Sequence, residues 1–282
     1  MRVAVVTDST AYLPDGVAAD RGIRVVPLEV RLGERVGPEG VDVDAAELSA
    51  ALADRQLDVQ TSRPAPAEFV ACYREAFDAG ADEIVSVHLS RELSGTWDAA
   101  RLAADEIGGG RVRVVDSRAA AMGLGYAVLA AADAADTGAG AADVEAAAAD
   151  VAARCRVFFS VDNLDRLRHG GRIGAAAALL GTALAVKPLL HVQQGRIVPL
   201  EKVRTTARAT QRLVELAAKA AGDGPVDLAV HHLGAAERAD DVAGRLRERL
   251  PGIKRLLVSE VGAVIGAHVG LGVLGVVVVP GG

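Results

Sequence analysis

Small hydroxyl side chains gather where apolar runs end in this chain of 282 residues. Thr7, Ser9 and Thr10 follow the run 3–6, Thr61 and Ser62 precede Pro64, and Ser90, Ser94 and Thr96 follow the run 84–89. In an open α/β sheet the carboxyl ends of the strands line the ligand crevice, so hydroxyls placed there can seat an anion. Leu93-Ser94-Gly95-Thr96 leads into a long helical stretch. That puts Ser94 at an N-cap, where a hydroxyl and backbone N–H groups meet an anion without a cation. A plain helix cap needs the same residue, and Ser94 alone leaves both readings open. Its likeness to Thr61-Ser62 favours a shared site. His268, in Gly266-Ala267-His268-Val269-Gly270, has neighbours too small to shield it. A buried imidazole needs a partner, either a core carbonyl or the anion and its hydroxyl ligands, and the flanking glycines fit close approach to a ligand.

Other chemistry finds less support. The chain has no Gly-x-x-x-x-Gly-Lys-Ser/Thr, Gly-x-Ser-x-Gly or His-Glu-x-x-His, and no Gly-x-Gly-x-x-Gly after the first strand. His231 and His232 are neighbours at the end of the run 226–230, so they point to opposite faces of a strand and do not share a metal. Asp8, just past the first strand, suits a phosphotransferase or hydrolase that uses an aspartyl nucleophile or a bound cation. That reading lacks the second aspartate two positions on, where Thr10 stands. A regulatory interaction module, needing no ligand site, is a third reading.

The elements that must carry these residues follow an α/β rhythm. Apolar β-branched runs at 3–6, 23–30, 84–89 and 112–115 alternate with helix-forming stretches at 45–55, 67–79, 96–107 and 123–136. The Gly-, Ala- and Asp-rich stretch 136–143 precedes an Ala-rich helix ending near Arg154, and a division near 155 gives parts 1–155 and 156–282. The second part opens with a strand at 157–161 and has a buried helix at 175–184. The run 261–279 carries no formal charge and has Gly262, Gly266 and Gly270 at four-residue spacing. Five glycines, His268, a Val276 to Val279 block and no basic anchor argue against a membrane span and for a buried pair of glycine-rich strands.

Charge narrows the partners. Lys and Arg number 31 against 37 Asp and Glu, a net of −6, which argues against nucleic acid. The window 154–212 runs the other way, with eleven basic and three acidic residues, so that the remainder sums to −14. Such a window is a solvated face or a docking face for a phosphate or an acidic partner. Two cysteines, Cys72 and Cys155, make no disulfide framework and fit a reducing cytoplasm. The first apolar run meets Asp8 too soon for a signal peptide.

Taken together the motifs resemble the DegV family over nearly the whole chain. They are Val3-Ala4-Val5-Val6-Thr7-Asp8-Ser9, Thr61-Ser62-Arg63-Pro64, Leu93-Ser94-Gly95-Thr96-Trp97, Val115-Asp116-Ser117 with Met122-Gly123-Leu124-Gly125, Gly170-Gly171-Arg172-Ile173, Lys187-Pro188, and residues 262–272 around His268. The resemblance implies a two-lobed α/β fold: a mostly parallel N-terminal sheet flanked by helices, a C-terminal α/β lobe, and a lipid tunnel between them. It implies one long-chain fatty acid, such as palmitate, stearate or oleate, with its carboxylate at Thr61, Ser62, Ser94 and Gly95, and His268 in the network around it. It implies no cofactor and no catalysis by this chain. A separate fatty acid kinase subunit would phosphorylate the bound acid, and the carrier would take the acyl phosphate toward phospholipid synthesis. Arg172, Lys187, Lys202 and Arg204 would then form a face for that partner or its phosphates. Arg63 and Ala65 stand where the motif often has Gln and Ser, and Leu271 where Pro is common, changes that touch no expected ligand.

Overall fold

The computed structural model describes residues 1–53, 59–179 and 186–281. In chain order the elements begin with β1 (Val3–Asp8), a 3-10 turn (Ser9–Ala11), α1 (Val17–Asp20), β2 (Arg24–Val26), β3 (Glu29–Leu32), β4 (Arg35–Pro38) and α2 (Ala45–Ala53). Next come β5 (Val59–Ser62), α3 (Pro66–Asp78), β6 (Glu83–His88), α4 (Thr96–Ile107), β7 (Val112–Asp116), α5 (Met122–Asp136) and α6 (Ala141–Arg154). Then follow β8 (Arg156–Ser160), α7 (Asp165–His169), a 3-10 turn (Gly174–Leu179), β9 (Lys187–Gln193), β10 (Arg196–Val203) and α8 (Thr206–Ala221). The chain closes with β11 (Val226–His232), α9 (Ala236–Arg249), β12 (Ile253–Glu260), α10 (Ala263–Val269) and β13 (Leu274–Pro280).

Two compact units emerge, Met1–Glu29 with Thr61–Arg154, and Val30–Gln60 with Cys155–Gly282. Residues 30–60, expected in the first part, thus group with the second. Two contacts show why. The buried Glu39 accepts the Val264 amide at 2.7 Å at the start of α10, and Leu48 of α2 fills the space over Gly266.

The first unit holds a parallel sheet of order β2-β1-β6-β7. Val6 and Ile84 face α3 and α4, while the buried Val5, Val85 and Val87 between them face the side of α5 and α6. Burial on both faces is why these strands read as continuous apolar runs. α5 is apolar nearly all round and correspondingly buried. A methyl group on its Gly125 would stand 2.6 Å from the Ala11 carbonyl oxygen, so only glycine lets α5 approach the turn after β1. The run 23–30 breaks into β2 and β3 around Pro27, which has no N–H for a ladder.

The second unit is built on a six-stranded sheet of order β10-β9-β8-β13-β11-β12. Only β11 and β12 pair in parallel, and the other pairs are antiparallel. α8 and α9 bury Leu213, Val214, Val242 and Leu246 against Phe158, Leu228, Val230 and Val276. Two expectations are corrected here. The run 261–279 forms a helix, α10, and one strand, β13, rather than two strands: the four-residue glycine spacing marks a helix face, and Gly270 at φ +78° ends the helix. The stretch 175–184 begins as a 3-10 turn in which only Ala176 is buried, and residues 180–184 lie outside the described residues. Among the described residues no helix is long and apolar enough to cross a membrane.

Candidate functional site

The chain leaves β1 toward β2 on one side and later adds β6 on the other, so the strand order reverses between β1 and β6. Their carboxyl ends are where an open α/β sheet opens its crevice, and they end in Asp8 and His88. Ser86 and His88 are two apart on β6 and face α3, and Asp8 at the end of β1 meets them there. His88 Nδ1 lies 3.0 Å from Asp8 Oδ2, and His88 Nε2 lies 2.7 Å from Ser86 Oγ. Tyr73 of α3 donates to Ser86 Oγ at 2.9 Å, burial pushing its phenol above the ordinary range so that it keeps its proton. The partners assign the tautomer: the carboxylate accepts from Nδ1, and Nε2 accepts from Ser86. Asp8 also accepts the Leu89 amide at 3.0 Å, the Thr10 amide at 3.1 Å and the Thr10 hydroxyl at 2.5 Å.

This Ser, His and Asp chain has the order of a catalytic triad but not its access. Tyr73, Ser86, His88, Asp8 and Thr10 are all fully buried, and Ser86 is hydrogen-bonded on both sides. Both Asp8 oxygens are engaged. The reading of Asp8 as a nucleophile or cation ligand is therefore corrected: the carboxylate ties β1, β6 and the turn after β1 together. Sequence reasoning missed the chain, whose signal was the pair of polar residues at alternate positions of an otherwise apolar β6.

Around this anchor stand the loops that carry the hydroxyls. Thr61, half-buried, lies in β5, and the exposed Ser62 that ends the strand donates to Glu29 Oε2 at 2.9 Å. Pro66 opens α3, and Glu68 reaches back to the Ala65 amide at 2.6 Å, fixing where the loop 61–65 turns. Before α4 the Ser90 carbonyl accepts the amides of Leu93 and Ser94, and the Ser90 hydroxyl accepts that of Glu92. Gly95, rather than Ser94, is the N-cap of α4. Ser94 Oγ accepts the Thr96 amide at 3.3 Å and lies 2.9 Å from the Thr96 hydroxyl, half-buried above the first-turn amides.

The two motifs meet. A methyl group on Gly95 would stand 2.8 Å from Arg63 Nη1 and 3.0 Å from Arg63 Cδ. Gly95 has an ordinary φ of −75°, and its missing side chain leaves space that the Arg63 side chain occupies. Arg63, expected to touch no ligand residue, thus lies against Gly95, one of the residues expected at the carboxylate.

In the second unit, Gly170 lies so close to the His268 ring that a side chain there would collide with it. Arg172 Nη1 donates to the Gly170 carbonyl at 2.6 Å. Burial, and secondarily Arg172, push the His268 imidazole down to about 4, so at neutral pH it carries one donor and one acceptor. The four expected basic residues do not share one face. Lys187 pairs with Asp162 at 2.7 Å, and Lys202 and Arg204 are exposed. β9 and β10 set Val203 opposite Lys187 and Lys202 opposite Pro188, so Lys187 and Lys202 point to opposite sides of the sheet. Among the described residues no group of His, Cys, Asp and Glu is arranged to hold a metal.

A family model described as "Uncharacterised protein, DegV family" matches residues 2–281. A DegV domain-containing protein of Streptomyces coelicolor is 56% identical over 98% of this chain and 98% of its own. Two solved structures share the fold. A DegV family protein of Thermus thermophilus, described with fatty acid binding, superposes at a TM-score of 0.94 with 34% identity, over 99% of this chain and 100% of that one. DegV of Bacillus subtilis, described as a fatty acid binding protein, superposes at 0.90 with 33% identity over the full length of both.

Proposed function

The chain belongs to the DegV family, and on that footing we propose that it holds one long-chain fatty acid by its carboxylate at Thr61, Ser62, Ser94 and Gly95. The observation that carries this reading is the meeting of the loop 61–63 with the start of α4, where hydroxyls, first-turn amides and Arg63 gather. The description of two relatives above 30% identity as fatty acid binding supports it. A chain of sixteen to eighteen carbons has about fifteen methylenes, and burying them at roughly 0.8 kcal/mol each contributes on the order of 10 kcal/mol before ordering costs. The tail supplies affinity, and the polar groups orient the head. His268 is a further proposed hydrogen-bond partner of the carboxylate.

The chain acts as a carrier and not as the catalyst. A separate ATP-dependent kinase subunit brings the γ-phosphorus to a carboxylate oxygen, ADP leaves, and the acyl phosphate passes on toward phospholipid synthesis. Arg172, which reaches the Gly170 carbonyl beside His268, is the basic residue best placed to meet that partner. The carrier works in the cytoplasm, where the free thiols of Cys72 and Cys155 stay reduced.

Labelled oleate binding to the delipidated chain tests the site. Each of Ser94→Ala and Thr61→Ala removes a hydrogen bond to a charged group and should weaken binding by about tenfold to a hundredfold. Unchanged affinity in both variants would move the head group elsewhere.

A further inference from the structure

Arg63 stands apart from the other charged groups of its neighbourhood. Glu29 takes the Ser62 hydroxyl, Glu68 the Ala65 amide, and Arg91 lies 4.4 Å above the Trp97 ring and 3.7 Å from Asp98. Arg63 makes no hydrogen bond or ion pair with any described residue, although its guanidinium lies against Gly95 at the mouth of α4. A guanidinium offers five donors in a planar fork suited to an oxyanion. Here the guanidinium lies against Gly95, the N-cap of α4, whose neighbour Ser94 takes the Thr96 amide. Both features favour negative charge at the same spot.

We infer that Arg63 is the charged ligand of the bound acyl head group, so that this chain selects the ionised carboxylate over neutral acyl compounds such as esters. The inference rests on the fatty acid reading of the site. It has a chemical consequence: a carboxylate engaged by a guanidinium is held more firmly, and is a poorer nucleophile, than one held by hydroxyls alone.

The test uses the full chain, delipidated and reloaded with oleate labelled with carbon-13 at the carboxyl carbon, whose resonance is followed by NMR across pH 4 to 9. An adjacent guanidinium should make the bound carboxyl titrate about one pH unit or more lower in the wild type than in Arg63→Gln, with Arg63→Lys between them. Oleate affinity should fall about tenfold in Arg63→Gln, while methyl oleate, which has no charge to lose, binds both chains alike. Equal titration in wild type and Arg63→Gln, both loaded, would overturn the inference and leave fatty acid binding standing. So would an equal loss of oleate and methyl oleate, which would make Arg63 a structural residue. A wild-type chain that takes up neither compound would overturn the fatty acid reading itself, and this inference with it.

Discussion

Two groups of polar side chains stand in the first unit, one under the carboxyl ends of β1 and β6 and one where the end of β5 meets the start of α4, and they are treated oppositely. Under β1 and β6, Tyr73, Ser86, His88, Asp8 and Thr10 have no exposed surface, and Ser86, His88 and Asp8 each have a partner on both sides. In the loops above, Ser62, Arg63, Ser94 and Gly95 are exposed or half-buried, and Arg63 makes no hydrogen bond or ion pair with any described residue. Residue type does not separate the groups, since each has serines and a cationic or potentially cationic side chain. Saturation does: a polar group whose capacity is spent inside the core holds the fold, and one with capacity left at the surface can hold a ligand.

The contrast breaks most readily at Asp8. Asp8→Ala strands buried donors from His88, Leu89 and Thr10 and should cost about 3–5 kcal/mol, read from the shift in urea midpoint. A loss below about 1 kcal/mol would mean that the chain under the sheet is not a structural anchor. Ser94→Ala, by contrast, should leave stability within about 1 kcal/mol of the wild type while weakening oleate binding.

Acid provides the next test. Burial pushes both His231 and His268 from 6.5 down to about 4, so the unfolded chain takes up protons before the folded one does. Stability contributed by these neutral imidazoles is therefore present above about pH 6.5 and is lost as pH falls toward 4. Urea midpoints at pH 7, 5.5 and 4.5 should decline, and His231→Gln and His268→Gln should each flatten the decline; parallel curves would show that neither ring is held neutral.

A smaller effect belongs to Glu39, which caps the helix that carries His268. Glu39→Ala should cost about 1–2 kcal/mol, and amide exchange should speed up at Val264 before it does in β13. Uniform exchange across the second unit would speak against a local cap. Smallest of all, Lys202→Glu and Arg204→Glu, at exposed positions, should shift stability by no more than about 0.5 kcal/mol and leave bound lipid unchanged. A loss of lipid in either variant would make them part of the site after all.

Much of this contrast was legible in the residues, because parallel strands buried on both faces write themselves as apolar runs. The helix over 96–107 and the strand around 84–89 stand where periodicity put them. The segment 30–60 was not legible: nothing local says that Glu39 will cap a helix 225 residues later in the chain. α10 was misread because glycine and valine density resembles a strand, although the four-residue spacing already carried the helical period. At the proposed site, Ser94 and Gly95 were singled out by residue type and motif alone. The approach of Arg63 to Gly95 joins two distant motifs, and only their packing reveals it.

Carriage of one long-chain fatty acid per chain is read most directly by mass spectrometry of an organic extract of the protein, purified from lipid-replete cells. The extract should hold close to one fatty acid of sixteen to eighteen carbons per chain, with less from Thr61→Ala and Ser94→Ala. A wild-type chain from which no stoichiometric fatty acid can be extracted would contradict it.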